Sequence, residues 1–269
     1  MALFTGEVVA VVTGAGSEIG RATAIAFARD GCQKISLGDL SNPGMQETRR
    51  LINEKFSQAE VDLFRVEVSE ESSVEEFYSA TVEKFGRIDY AANIAGVAQV
   101  AAPIHLTPDE AFDKMYAVNQ KGVSRNAFLC ERALIRQFLK QERRAETQLR
   151  GSVVIVTSQL AEVTCNGMAA YSASKAGARG ISRSDALDYG PQGIRFNTVG
   201  PGPTSTPLLL GAQEDNYIRL MEQATRLRRN ARPEDVANAV VWLSSDRACF
   251  ITGVSLIVDG GMGLQMGPD

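Results

Sequence analysis

The strongest constraint on this chain is a repeated alternation. Short runs of β-branched and small apolar residues are each followed by a longer segment with helical spacing. That order of elements builds a parallel sheet covered by helices on both faces. Val8-Val9-Ala10-Val11-Val12-Thr13 reads as the first strand, and residues 19–30 as the helix after it, with Gly31 as its stop. Further strands are predicted at 34–40, 62–68, 90–93, 153–157, 194–199 and 251–258. Helices are predicted at 45–56, at 74–85 closed by Gly86, across 109–141 with an interruption near 119–122, at 171–188 and at 236–244. The expected class is α/β, a doubly wound parallel sheet. A chain of 269 residues accommodates it as a single domain, 1–269, large enough to need no disulfide or metal for stability. There is no internal repeat and no low-complexity linker. Residues 140–150 are strongly charged and read as a solvated face. Residues 200–232 begin Pro-Gly-Pro, carry Leu208, Leu209, Leu210 and Tyr217, and end in a basic cluster. A connection of that length in a compact domain is expected to be a lid or binding loop.

Composition removes several kinds of chemistry. With 28 basic and 32 acidic side chains the net charge is −4, which argues against a broad nucleic-acid-binding surface. The single histidine, His105, leaves no imidazoles for a His-rich metal site or a Ser-His-Asp triad, so no metal is expected. His105 itself reads as a solvated or helix-capping residue. Cys32, Cys130, Cys165 and Cys249 form no CxxC and read as reduced thiols. No apolar run approaches the ~18 residues of a membrane span, and an acid, Glu7, stands where a signal peptide would be basic. A soluble cytoplasmic protein with no membrane partner is the expectation. Its chemistry must run on backbone amides, hydroxyls and lysines.

Where the first strand meets the first helix stands Thr13-Gly14-Ala15-Gly16-Ser17-Glu18-Ile19-Gly20. Glycine lets a backbone approach a pyrophosphate closely, and a helix N-terminus offers free N–H groups at the positive end of its dipole. Asp39 closes the second strand 19 residues after Gly20, the spacing at which a carboxylate accepts hydrogen bonds from an adenosine ribose. The pairing predicts a Rossmann-like dinucleotide site. Asp39 would repel a 2′-phosphate, Leu40 follows it, and neither Ser17 nor its loop neighbours offers a cation. NAD(H) is therefore expected in preference to NADP(H).

Tyr171-Ser172-Ala173-Ser174-Lys175 places Tyr171 and Lys175 at i and i+4, on one helix face, with Ser158 13 residues before Tyr171 at the end of the fifth strand. A phenol has a pKa near ~10 and is a poor base at neutral pH. An ammonium ~4 Å away contributes roughly 4 kcal/mol at an effective dielectric of ~20, so such a pair can bring the phenol toward working pH. Ser158 would hold the carbinol or carbonyl oxygen by a hydrogen bond.

With these residues in place the chain resembles the short-chain dehydrogenase/reductase family over essentially its whole length. The resemblance rests on the glycine-rich turn, Asn93-Ile94-Ala95-Gly96, Asn119, Ser158 with the Tyr-x-x-x-Lys pair, Pro201-Gly202, and Val258-Asp259-Gly260-Gly261, in the family's order. It implies a nicotinamide-dependent oxidoreductase in which Lys175 also binds the nicotinamide ribose and Asn119 carries a proton relay. It implies further cofactor contacts at Asn93, Ala95 and Gly96, at Glu67 and Val68 near the adenine, and at Pro201, Gly202, Thr204 and Thr206. It also implies a homo-oligomer, tetramer or dimer. Glu18 departs from the pattern, since the family most often has glycine there, and a carboxylate beside a pyrophosphate would repel it unless turned to solvent. Glu67, where the family usually has aspartate, is a milder change.

Val97, Leu160, Val163, Met168, Leu208, Leu209 and Tyr217 form the expected pocket lining, which leans apolar and favours a cyclic or hydrophobic alcohol or ketone. Arg219, Arg226, Arg228 and Arg229 could meet an acidic group but read first as solvated loop charges. Cys165 reads as packing, with nothing in the sequence to activate it. The rival function is the same fold turned to non-redox chemistry, such as cyclisation or dehydration, around a structurally bound cofactor. Intact Ser158, Tyr171 and Lys175 speak against it.

Overall fold

Strands β1 (Val9–Thr13), β2 (Lys34–Asp39), β3 (Glu60–Arg65), β4 (Tyr90–Asn93), β5 (Gly151–Val156), β6 (Ile194–Pro201) and β7 (Ser255–Val258) form one sheet in the order β3-β2-β1-β4-β5-β6-β7. Every pairing in it is parallel. The structure is a computed structural model that describes residues 2–98, 101–115, 124–210 and 215–264. The helices are α1 (Glu18–Arg29), α2 (Asn42–Lys55), α3 (Glu71–Phe85), α4 (Asp109–Met115), α5 (Ser124–Phe138), α6 (Ala169–Tyr189), α7 (Pro207–Leu210), α8 (Asp215–Ala224) and α9 (Pro233–Ser244).

Side-chain alternation sends each central strand into two cores. Ala10 and Val12 of β1, Tyr90 and Ala92 of β4, and Val154 and Val156 of β5 pack with Phe27 of α1 and Val240 of α9. Val11, Ala91, Val153 and Ile155 point the other way, onto Phe77 of α3 and Leu134 and Phe138 of α5. With both faces buried there is no polar face to alternate, so these strands read as continuous apolar runs. Helix starts follow local chemistry. Ser17 caps α1 and Ser41 caps α2, each accepting a backbone N–H three residues on. The Asp235 carboxylate takes the Arg232 N–H (2.7 Å) at the start of α9.

Three expectations shift. The third strand lies at Glu60–Arg65 rather than 62–68: the Val66 N–H makes a last bond to the Asp39 carbonyl (3.1 Å), and the apolar Val66 and Val68 side chains join the core with Val74 and Phe77. The last strand is shorter than 251–258, since the Ile251 N–H closes a turn onto the Ala248 carbonyl and Gly253 turns the chain before Ser255. The charged segment 140–150 is partly buried rather than solvated. Gln141 bonds both backbone groups of Ile88, and Arg144 grips Asp246 through two hydrogen bonds of 2.9 and 2.7 Å. The Tyr90 hydroxyl donates to the same Asp246 carboxylate (2.9 Å), and nearby Arg195 donates to the carbonyls of Ser244, Ser245 and Ile251. Burial draws the Arg195 guanidinium down to about 10. This network ties together the amino-terminal ends of the strands.

The opposite edge is left for function. Chain order reverses between β1 and β4, and in open parallel sheets the crevice beyond the carboxyl ends at such a point is where ligands bind. Gly14, Asp39, Asn93 and Pro201 stand at those ends, with Ser158 and Asp259 just beyond theirs.

Candidate active site

The turn after β1 is built so tightly that side chains are excluded. Gly14 has φ +71°, and a Cβ there would lie 2.7 Å from the Ala95 nitrogen. A Cβ on Gly20 would lie 2.0 Å from the Gly14 carbonyl oxygen, so α1 begins pressed onto the turn. Ser17 locks it further, donating to the Gly14 carbonyl (2.7 Å) while accepting the Gly20 N–H (3.3 Å). The amides of Glu18 and Ile19, first in α1, have no intrahelical acceptor. Asp39 accepts the Gly16 N–H (2.9 Å) on one oxygen and the Ser41 N–H (2.8 Å) on the other. Each oxygen keeps a lone pair for a further donor. Leu40 beside it is exposed.

The loop after β4 meets this turn. Ile94 N–H donates to the Thr13 hydroxyl (3.2 Å), and Tyr78 reaches the Asn93 side-chain oxygen (3.5 Å). The Asn93 side-chain nitrogen is buried without a partner. Ala95, Gly96 and Val97 continue from it toward solvent. Glu67 is half-buried and bonded to Ser69 (2.7 Å), next to buried Val68.

Ser158, Tyr171 and Lys175 come together as their spacing predicts. Ser158 follows β5, is buried, and accepts the Leu160 N–H (3.1 Å). Tyr171 stands in the first turn of α6 in a hydrogen bond with the Ser158 hydroxyl. Lys175, one turn on, is 4% exposed and donates to the Val156 carbonyl (3.2 Å), its Nζ 5.8 Å from the Tyr171 ring centre. Burial pushes the Tyr171 phenol above its usual value, and the Ser158 hydrogen bond pulls it partly back. Burial lowers the Lys175 ammonium to about 8. Burial is the largest influence on both groups and opposes the lowering of Tyr171 expected from its spacing to Lys175.

Beyond β6, Gly202 donates to the Val258 carbonyl (2.9 Å), and buried Thr204 and Thr206 follow, with Thr204 bridged to Ala231. The 200–232 segment thus folds back on itself through α7 and α8. Arg229 at its end pairs with Asp235 rather than facing a ligand. Of the expected lining, Leu160 and Met168 are half-buried and Val163 is exposed. Asn119 and the side chains of Leu208 and Tyr217 lie outside the described residues. His105 and Cys165 are exposed. Among the described residues no three His, Cys, Asp or Glu cluster as a metal site, and no helix is long and apolar enough to cross a membrane.

Sequence reasoning missed Arg21, Thr48 and Gly44, which back the glycine turn. The loop itself carries no cation, as expected, but Arg21 of α1 reaches back to it, its guanidinium donating to the Gly16 carbonyl (3.1 Å). Its spacing of four from Ser17 was the available signal; for Thr48, on another helix, there was none.

A dinucleotide fits what is present: a turn that excludes side chains, open helix amides, a carboxylate with spare lone pairs and an unpartnered buried amide at Asn93. Comparison with known proteins agrees. A family described as enoyl-(acyl carrier protein) reductase matches residues 14–263. A cis-4-hydroxycyclohexanecarboxylate dehydrogenase from Sinomonas cyclohexanicum is 35% identical over 256 residues, covering 95% of this chain and 96% of that protein. The crystal structure of a levodione reductase matches with a TM-score of 0.85 at 30% identity, over 97% of this chain and 99% of that one. That of a 3-ketoacyl-(acyl-carrier-protein) reductase from Brucella melitensis, complexed with NADH, matches at 0.83 and 28%, over 95% and 98%. Sheet order, site and relatives converge, and the chain belongs to the short-chain dehydrogenase/reductase family of oxidoreductases.

Proposed function

We propose that the protein interconverts a secondary alcohol and a ketone on a hydrophobic, cyclic small molecule, using NAD(H) in preference to NADP(H). The observation that carries this reading is the meeting of Ser158, Tyr171 and Lys175 at the carboxyl edge of the sheet, the edge that also carries the glycine turn. When bound, the nicotinamide supplies or accepts the hydride. Gly14, Gly16, Ser17, Glu18, Ile19 and Gly20 carry the pyrophosphate, and Asp39 takes the adenosine ribose hydroxyls. Leu40, Glu67, Val68, Asn93, Ala95 and Gly96 flank the adenosine. Pro201, Gly202, Thr204 and Thr206 bed the nicotinamide end. Ser158 donates to the substrate oxygen and orients it, and the Tyr171 hydroxyl exchanges a proton with that oxygen. Lys175 holds the nicotinamide ribose and, as an ammonium, favours the tyrosinate against the burial that opposes it. Asn119 continues the proton path.

The domain is one catalytic unit, 1–269, with 200–232 as its lid, and it works in the cytoplasm. The half-buried Leu160 and Met168, the ring in the name of the Sinomonas relative and the NADH bound by the Brucella neighbour support the substrate and cofactor assignments. A homo-oligomer is supported by the outer edge of β7, which has no neighbouring strand among the described residues and carries no charged residue, and by fully exposed Phe250 close to it in sequence.

The test is NADH absorbance with substituted cyclohexanones. Turnover is expected, and Tyr171→Phe should lower it by about 10²–10⁴-fold, the usual contribution of a positioned acid–base group. Unchanged turnover in that variant would refute the mechanism, and tighter binding of NADPH than NADH would refute the Asp39 argument.

A further inference from the structure

The glycine turn is held from behind by a set of contacts that no ligand-binding role explains. The peptide joining Ala15 to Gly16 is fixed at both ends: its carbonyl accepts from the Thr48 hydroxyl (2.8 Å), and its N–H donates to Asp39 Oδ2 (2.9 Å). The next peptide is fixed likewise, its carbonyl by Arg21 Nη2 (3.1 Å) and its Ser17 N–H by the Gly14 carbonyl (3.1 Å). Arg21 Nε also donates to the Thr48 hydroxyl (3.2 Å), joining the two supports. Thr48 is fully buried in α2, and a Cβ on Gly44 one turn earlier would lie 2.9 Å from Gly16 Cα. The first turn of α2 is therefore a backstop laid directly on Gly16.

The consequence falls on Asp39. A Gly16 N–H aimed by a clamped peptide plane holds one carboxylate oxygen, while the Ser41 N–H holds the other. Arg21, for its part, spends its charge inward on a carbonyl and a hydroxyl instead of presenting it to the ribose side, where it would attract a phosphate. We infer that Thr48 and Arg21 are positioning residues that aim the Asp39 carboxylate at a free ribose diol and thereby set discrimination against a 2′-phosphorylated dinucleotide. The inference rests on the nicotinamide dinucleotide reading above.

Direct fluorescence titration of the free protein with NADH and NADPH tests it without reference to turnover. Thr48→Val and Arg21→Met should each weaken NADH by about tenfold, the scale of one lost charge-linked hydrogen bond, and weaken NADPH less, so that discrimination narrows. Thr48→Ser and Arg21→Lys, which keep a donor, should restore most of it. On an Asp39→Asn background, Thr48→Val should change the NADH dissociation constant by less than about twofold, because it acts through that carboxylate. Equal weakening of both nucleotides, or unchanged NADH binding with only a lower melting temperature, would overturn the inference while leaving the cofactor reading intact. A wild-type protein that binds neither nucleotide would overturn both.

Discussion

Lys175 is a buried cation whose only described hydrogen bond runs to the Val156 carbonyl, and its replacement by methionine should make the ligand-free protein more stable at neutral pH. Burial lowers the ammonium from 10.5 to about 8. That difference corresponds to roughly 3 kcal/mol of destabilisation at 1.36 kcal/mol per pH unit. Methionine of similar length removes that penalty and loses about 1 kcal/mol for the hydrogen bond to Val156. The net gain near pH 7 is then about 2 kcal/mol, or roughly 4 °C or more in melting temperature for a chain of this size. The sign depends on pH. Below pH 8 both folded and unfolded chains carry the proton, and the full cost of burying the charge is present. Between pH 8 and 10.5 the unfolded chain binds more protons, so wild-type stability rises with pH and the methionine advantage shrinks. Above that range the variant should be the less stable of the two, by its missing hydrogen bond. Urea denaturation of both proteins at pH 7, 8.5 and 10 reads the effect, because the pair differs at this one side chain. A destabilised variant at pH 7, or a difference independent of pH, would refute the reasoning. Turnover should be lost at every pH, a case of a site held at the expense of stability.

Other expectations follow from the same geometry. Gly14→Ala meets both a positive φ and a 2.7 Å approach to the Ala95 nitrogen, so dinucleotide binding measured by calorimetry should be abolished, with about 2 kcal/mol or more of stability lost. Arg144→Met leaves Asp246 without its bidentate partner in a part-buried network and should cost about 1–3 kcal/mol in chemical denaturation, while activity per folded molecule stays unchanged. Gly151→Ala drives a methyl to within 2.4 Å of the Phe138 ring, and a loss of about 1–3 kcal/mol is expected, with cofactor affinity unaffected.

Much of the architecture was legible because a sheet buried on both faces leaves a strong mark on sequence. Val153 to Val156 has no room for a polar residue, and Gly31 and Gly86 stop their helices at the predicted points. The third strand was misplaced by the same logic, since Val68, beyond the last bond to β2, carries a strand-like signature that comes from core packing with Val74 and Phe77. Ser158, Tyr171 and Lys175 could be read together because two share a helix face and the third stands just beyond the strand leading into it. Their protonation could not, because spacing shows proximity and says nothing of burial, which here sets both pKa shifts. Arg144, Gln141 and Thr48 were beyond reach for a different reason. Each acts on a backbone or carboxylate partner distant in sequence, and a charged or hydroxyl residue on a helix looks the same whether its partner is water or a buried loop.

The sheet has two poles with opposite temperaments. At the amino-terminal pole, Arg144, Asp246 and Tyr90 are bonded to one another while Arg195 and Gln141 hold the neighbouring backbone, and a change in any of them unsettles several partners at once. At the carboxyl pole, the 200–232 segment and the loop beyond Ser158 hang from strand ends whose footing is secured elsewhere. Inheritance can therefore rewrite the ligand-facing pole by small steps, with each trial borne by the untouched one. A lineage built on this plan should diverge fastest in what it recognises and slowest in the foundation that never meets a ligand.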